Sequence, residues 1–317
     1  MHDFCLIIPT NRLLFIKNIL NYYSVTQIKV KIVHNLKLNF DNYKYNNIQF
    51  IYIEDQNPYK RVAKLLRMLN ESYCQMFSDD DFVFEDTLKK SVEFLKNNKN
   101  YSSAQGLQLN FDYNNVNGTE LNDLDLPLIN RESDSSLKNI RLFQAFTDRY
   151  VDRIYSITKK EILLDILESA EPLLNEYHQC MEIYFICCLT MAGRDKVFQE
   201  IGWMKGQHND NFHKTDKYSA DYWIFNKKFI SLFFFCLENY AIKRKIKNFS
   251  FSYFFVVLFI FKIKISLVGY LEFFRIFLNK IRNLENAKKK KLARHIYFNN
   301  ILKIQNLKNI LVKNNDY

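Results

Sequence analysis

Along the first hundred residues the apolar positions change period several times. Phe4 to Thr10 (FCLIIPT) is an almost continuous apolar run closed by Pro9, the pattern of a buried strand. Leu13, Ile16, Ile19, Leu20 and Tyr23 then recur at helical spacing on one face. IKVKIVHN alternates apolar and basic residues, and IQFIYIED is a third strand-like segment. NPYKRVAKLLRMLN returns to helical spacing through Val62, Leu65, Leu66 and Leu69. YCQMFS is a fourth strand, and EDTLKKSVEFLKNN a helix with Asp86 as N-cap and Leu88, Val92 and Leu95 inward. Such alternation predicts an α/β fold: an open, mostly parallel sheet flanked by helices. Ligands of that class bind beyond the carboxyl ends of the strands. Pro9-Thr10-Asn11-Arg12 and Asp79-Asp80-Asp81 both occupy such positions.

The middle of the chain is less regular. SSAQGLQLNFDYN predicts another strand, and Asn114 to Ser136, rich in Asn, Asp and Ser, a surface loop. A short strand over Ile154 to Ile157 is expected between helical patterns. EYHQCMEIYFICCLTMAG is an apolar helix ending near Gly193, and KVFQEIGWMKGQHNDNFH a strand followed by a polar loop.

Charge divides the chain in two. Of its 317 residues, those from Asn226 to Tyr317 carry 19 Lys and Arg against 4 Asp and Glu; the first 225 carry 26 against 30. This predicts a slightly acidic domain over 1–225 and a basic, Phe-rich helical extension over 226–317. Phe-rich faces beside Lys and Arg suit helices lying on an anionic membrane surface. They equally suit helices packed on the first domain with their charges in water. No recognisable nucleic-acid-binding module accompanies the charge. The longest uncharged run, Asn248 to Phe261, is shorter than the roughly twenty residues a membrane span needs. MHDFCLIIPTNR lacks the pattern of a signal peptide, which points to a cytoplasmic protein. The six cysteines form no CxxC pair and read as reduced, buried thiols; the group around Cys180, Cys187 and Cys188 reads as helix core.

The chemistry concentrates at Asp79, Asp80 and Asp81. Three adjacent carboxylates repel one another, and they are held close to buried structure by Phe82-Val83-Phe84. Two carboxylates two residues apart can point the same way from an extended strand end. A hard divalent cation sharing them with phosphate oxygens would relieve the repulsion.

LIIPTNR together with SYCQMFSDDDF, some seventy residues later, resembles the family-2-like GT-A glycosyltransferases, in particular the bacterial branch with a DDDF motif associated with lipopolysaccharide and surface-polysaccharide synthesis. The resemblance covers residues 1 to about 215. It implies a nucleotide-sugar donor and a divalent metal, Mn²⁺ or Mg²⁺, held by Asp81 with Asp79 and a late histidine, His208. Asp79 would also contact the donor, with Asp80 shaping the loop. Pro9, Thr10, Asn11 and Arg12 would form part of the nucleotide pocket with Asn35, where the family more often has Asp, and Arg61 would reach the diphosphate. Glu182 or Glu176, near the start of a helix, would be the base that activates an acceptor hydroxyl in an inverting reaction. The acceptor would be a bacterial surface glycan or a lipid-linked sugar, reached by a peripheral protein on the inner face of the plasma membrane. Two other readings stay open: a nucleotidyltransferase on a related fold, for which no Gly-rich phosphate loop is visible, and a non-catalytic basic membrane- or nucleic-acid-binding protein.

Overall fold

The computed structural model describes residues 2–37, 40, 45–112, 135–147, 153–177, 180–207, 226–246, 295–296 and 299–312. Its strands are β1 (Phe4–Thr10), β2 (Val30–His34), β3 (Ile48–Tyr52), β4 (Tyr73–Met76), β5 (Phe82–Val83), β6 (Tyr101–Asp112), β7 (Ile157–Lys159) and β8 (Arg194–Gln207). Its helices are α1 (Leu13–Tyr23), α2 (Pro58–Met68), α3 (Glu85–Asn97), α4 (Lys138–Thr147), α5 (Lys160–Ser169), α6 (Glu171–Glu176), α7 (Met181–Ala192), α8 (Lys227–Lys243) and α9 (Ile301–Val312).

The strands form one sheet in the order β3-β2-β1-β4-β7-β6-β8-β5. β1 pairs in parallel with β2 and β4, β2 with β3, and β6 with β8; β7 and β5 run against their neighbours. The mostly parallel α/β sheet expected from the alternation is therefore present. β7 starts at Ile157, so the strand expected over Ile154 to Ile157 is displaced toward its C-terminal side. β5, only two residues long, is too short to leave a periodic signal.

Period-two alternation sends neighbouring residues of β1 to opposite faces. Phe4, Leu6 and Ile8 join one core cluster with α1 and α3 residues; Cys5 and Ile7 join another with residues of α2, α5, α7 and α8. All six cysteines are free and buried. The α1 face differs from expectation at its first turn. Leu13 is exposed, whereas Phe15, Ile16, Ile19, Leu20, Tyr22 and Tyr23 are buried. α2 is well defined at its start: the Asn57 side chain accepts from the Tyr59 and Lys60 backbone N–H groups, and Pro58 opens the helix. α3 begins at Glu85 behind Phe84, so Asp86 lies in the first turn instead of at the N-cap; there it still faces the positive end of the helix.

β6 and β8 approach unusually closely. A Cβ at Gly106 would lie 2.6 Å from the Gly202 Cα, closer than side chains tolerate, so both positions need glycine. Next to this contact the register shifts between Gln105 and Leu107.

The basic C-terminal part contributes to both clusters. In α8, Phe229, Phe233, Leu237 and Tyr240 are buried among α5, α6 and α7. Ile304 and Leu307 of α9 are buried in the cluster that contains Ile16 and Ile19 of α1. Among the described residues no helix is long and apolar enough to cross a membrane. The uncharged run 248–261 and the surface loop expected over 114–136, apart from its last two residues, lie outside the described residues.

Candidate functional site at the ends of β1 and β4

β1 and β4 are parallel neighbours, so the segments that follow them leave the sheet on the same side. Between them lies a cleft of about 230 Å³. Pro9, Thr10, Asn11 and Arg12 line one wall, Ser78 and Asp79 another, and Arg61 and Tyr59 of α2 close a third. Phe77 and Tyr155 complete an aromatic side; their rings meet edge to face at 5.0 Å, and Tyr155 meets Trp203 at the same distance.

The three aspartates divide. β4 ends at Met76 and residues 79–80 form a turn, so the extended geometry that would point Asp79 and Asp81 the same way does not apply. Asp79, 3% exposed, faces β1. Its Oδ2 accepts from the Thr10 hydroxyl at 2.5 Å and from Arg12 Nε at 3.1 Å, and its Oδ1 is ion-paired with Arg12 Nη2. Asp80 accepts from the Ser78 hydroxyl and lies 3.2 Å from Arg12 Nη2. Asp81, 2% exposed, turns toward β8, where its Oδ1 accepts from the Gly206 backbone N–H at 2.8 Å.

Arg12 therefore supplies the positive charge that lets Asp79 and Asp80 sit together. Its guanidinium also stacks on the Phe15 ring at 4.5 Å, and its own backbone N–H donates to the Thr10 hydroxyl. Burial opposes the charge on Arg12, but hydrogen bonds and the charges of Asp79 and Asp80 outweigh it and keep the group firmly protonated.

Arg61 is buried more deeply, at 1% exposure. Its Nη1 donates to the carbonyls of Asp55 at 2.7 Å and Gln56 at 3.3 Å, and its Nη2 to that of Thr10 at 3.4 Å. Among the described residues it forms no ion pair, and its Nε is buried without a hydrogen-bond partner. Burial lowers its pKa, with the nearby Asp55 charge opposing. It thus ties the end of β1 to the segment after β3 and adds positive charge to the cleft.

Of the other candidates, Asn35 lies just past β2 and donates to the Gln56 side chain at 3.1 Å. Glu182, in the first turn of α7, and Glu176, at the end of α6, are not among the residues lining the cleft. Glu176 is ion-paired with Lys228 at 2.7 Å. His208 lies outside the described residues, two positions beyond Gly206. Tyr59, Phe77 and Tyr155 line the cleft without having stood out in the sequence, where an aromatic residue among 49 Phe and Tyr carries little signal.

Carboxylate oxygens suit a hard divalent cation. In this arrangement, however, both Asp79 oxygens are held by Arg12, one of them by Thr10 as well, and among the described residues no three His, Cys, Asp or Glu side chains converge to hold a metal. The residues as arranged do not fit a metal at Asp79.

No protein-family model matches the chain, and no curated protein matches it. Among solved structures, the crystal structure of S. aureus TarS aligns with a TM-score of 0.45 at 17% identity, covering 65% of this chain and 37% of that one. TarS 1-349 in complex with UDP-GlcNAc aligns at 0.44 and 15%, covering 73% and 65%. TarS 1-349 in complex with UDP aligns at 0.42 and 16%, covering 65% and 60%. The chain thus spans less than two thirds of the length of each of these structures. Likeness at this level leaves any functional reading to the chemistry of the site.

Proposed function

We propose that this chain is a glycosyltransferase that takes a sugar from a nucleotide-sugar donor to a hydroxyl acceptor. The observation that carries the reading is the convergence of Thr10, Arg12, Arg61 and Asp79 in one cleft beyond the carboxyl ends of parallel strands. That is where an α/β sheet receives nucleotides. Two guanidinium groups there can meet a diphosphate, and Arg is suited to phosphate oxygens because its planar fork donates two parallel hydrogen bonds. The aromatic side formed by Phe77 and Tyr155 offers apolar surface to a base or a sugar ring.

Positive charge beside the diphosphate offsets the negative charge that grows there as the sugar–phosphate bond breaks. The acceptor oxygen attacks the anomeric carbon from the opposite face while a carboxylate takes its proton, and the configuration inverts. Glu182 is our assignment for that base, with Glu176 the alternative. The resemblance names Mn²⁺ or Mg²⁺ at Asp79, Asp81 and His208; a cation could take its place at Asp79 only after Arg12 withdraws. The acceptor we assign is a bacterial surface glycan or a lipid-linked sugar, and the basic 226–317 region would hold the protein on the inner face of an anionic membrane.

A thermal-shift screen of UDP-, GDP- and CMP-sugars against the full chain tests the donor assignment. One nucleotide class should raise the melting temperature, and Asp79→Ala should reduce that rise. No stabilisation by any of the three classes, with no donor hydrolysis, would overturn the reading.

A further inference from the structure

A divalent cation bridging protein and diphosphate needs carboxylate oxygens open toward the phosphates. Among the described residues lining the cleft, Asp79 is the one carboxylate. Arg12 holds both its oxygens, Thr10 holds one of them as well, and Asp81 turns away to the Gly206 backbone N–H. We propose that Arg12 is the resident cation of this site: one edge of its guanidinium neutralises Asp79 and Asp80, the other edge joins Arg61 in binding phosphate oxygens, and a nucleoside diphosphate is held without a divalent metal. The inference deepens the nucleotide-sugar reading and rests on it for the nucleoside; the contact with the diphosphate stands apart from it.

The guanidinium is fixed in place. Its Nε and Nη2 donate to the two Asp79 oxygens, Nη2 lies 3.2 Å from Asp80 Oδ2, and its carbon lies 4.5 Å from the centre of the Phe15 ring. The bonds to Asp79 use the edge of the fork that carries Nε and Nη2. Nη1, on the other edge, makes no hydrogen bond among the described residues, and the Arg12 side chain is 38% exposed and lines the cleft. Its N–H groups are open to a ligand while the carboxylates stay compensated.

Arg61 completes the pair. It is 1% exposed and lines the same cleft, it forms no ion pair among the described residues, and its Nε is buried without a hydrogen-bond partner. A buried charge without a counter-charge is costly, and a phosphate oxygen in the cleft would supply one. Arginine suits both tasks of residue 12, because its planar fork serves a carboxylate from one edge and a phosphate from another. As the sugar–phosphate bond breaks, its electron pair stays on the diphosphate oxygen. The two fixed guanidinium groups offset that charge without having to reorganise.

The test is isothermal titration calorimetry of UDP, GDP and inorganic pyrophosphate into the full chain, in excess EDTA and separately in Mn²⁺. One nucleoside diphosphate should bind in EDTA, and Mn²⁺ should tighten it by less than about fivefold, the lower end of the range that couplings between ligands span. Binding in Mn²⁺ alone, or tightening beyond that limit, overturns the proposal and leaves the nucleotide reading standing. Pyrophosphate bound in EDTA, with neither nucleotide bound in either buffer, removes the nucleotide reading and leaves the resident cation. Binding of none of the three in either buffer overturns both. The double variant Arg12→Gln/Asp79→Asn removes both charges of the ion pair, and so separates a ligand contact from a brace. It should bind the same diphosphate about tenfold or more weakly in EDTA, the effect of one lost charge-assisted hydrogen bond; unchanged affinity overturns the proposal. Circular dichroism establishes that the variant folds. If it does not, Arg12→Lys replaces it: an ammonium keeps the charge but cannot serve both edges, so affinity should still fall, by less, and no fall overturns the proposal.

Discussion

Replacing Arg61 by Met separates two roles for a buried arginine. Met keeps the apolar stem in place and removes the guanidinium. The strongest loss is the 2.7 Å bond from Nη1 to the Asp55 carbonyl. A hydrogen bond from a charged donor contributes about 1.5–3 kcal/mol. The bonds to Gln56 and Thr10, at 3.3 and 3.4 Å, are longer than good N–H···O bonds and add little. Part of the loss is offset, because burial already disfavours the charge that the substitution removes. A net destabilisation of about 2 kcal/mol follows, which for a protein of this size lowers the melting temperature by about 3 °C. Urea denaturation should show the same loss as a lower midpoint with an unchanged slope. Arg61→Lys should be destabilised too, because one ammonium cannot span carbonyls from two segments. If Arg61→Met melts within about 1 °C of wild type, the guanidinium is not a brace. Should donor affinity collapse in that same stable variant, Arg61 acts as a direct ligand contact alone.

Further outcomes follow from the rest of the fold. Arg153 Nη1 and Asp195 Oδ1 pair at 2.6 Å with both side chains under 5% exposed, so Asp195→Ala should cost about 3–5 kcal/mol in denaturant. Leu307→Ala, in the basic part of the chain, should cost about 2–5 kcal/mol, because the side chain is 1% exposed inside a core cluster; a melting curve equal to wild type would show that α9 does not stabilise the fold. Burial pushes the Glu71 carboxyl up, but hydrogen bonds from Lys29 and its own backbone and the charges of Lys29 and Lys31 bring it below its ordinary value. Glu71 therefore contributes stability above the ordinary carboxylate range, and that contribution is lost as pH falls through the lowered value. Glu71→Gln should reduce the fall in melting temperature between about pH 5 and pH 3; an unchanged profile would remove Glu71 from the account.

The sheet was legible because its central strands are apolar runs bounded by helical spacing. FCLIIPT and YCQM needed only length and burial to be read as strands, and their parallel pairing follows from the α/β alternation. The acidic turn stands out in the sequence as a candidate site, but its geometry does not. Arg12 and Asp79 are 67 positions apart, and nothing in either local pattern says that one compensates the other. The expected face of α1 fails at Leu13, which is exposed, while Phe15 and Tyr22 of the same helix are buried beside Ile16 and Ile19. The N-cap of α3 lies at Phe84, two residues before the expected Asp86, because Glu85 and Asp86 both suit the positive end of the helix. Charge composition separated 226–317 from the rest, yet composition reports neither packing nor contact. The buried faces of α8 and α9 alternate with the lysines that dominate the count.

The seating of α9 against α1 bears on how the protein is made. Chains leave the ribosome in order, at about 5–20 residues per second. The α1 face carrying Ile16 and Ile19 emerges early, while Ile304 and Leu307, which lie in the same cluster, are among the last described residues to be synthesised. Until then that layer has an uncovered apolar surface, the kind of surface that chaperones hold and that promotes aggregation. Overexpression yield should therefore depend on chaperone supply more than the stability of the finished protein suggests, and a stalled nascent chain lacking α9 should be a better chaperone client than the released one.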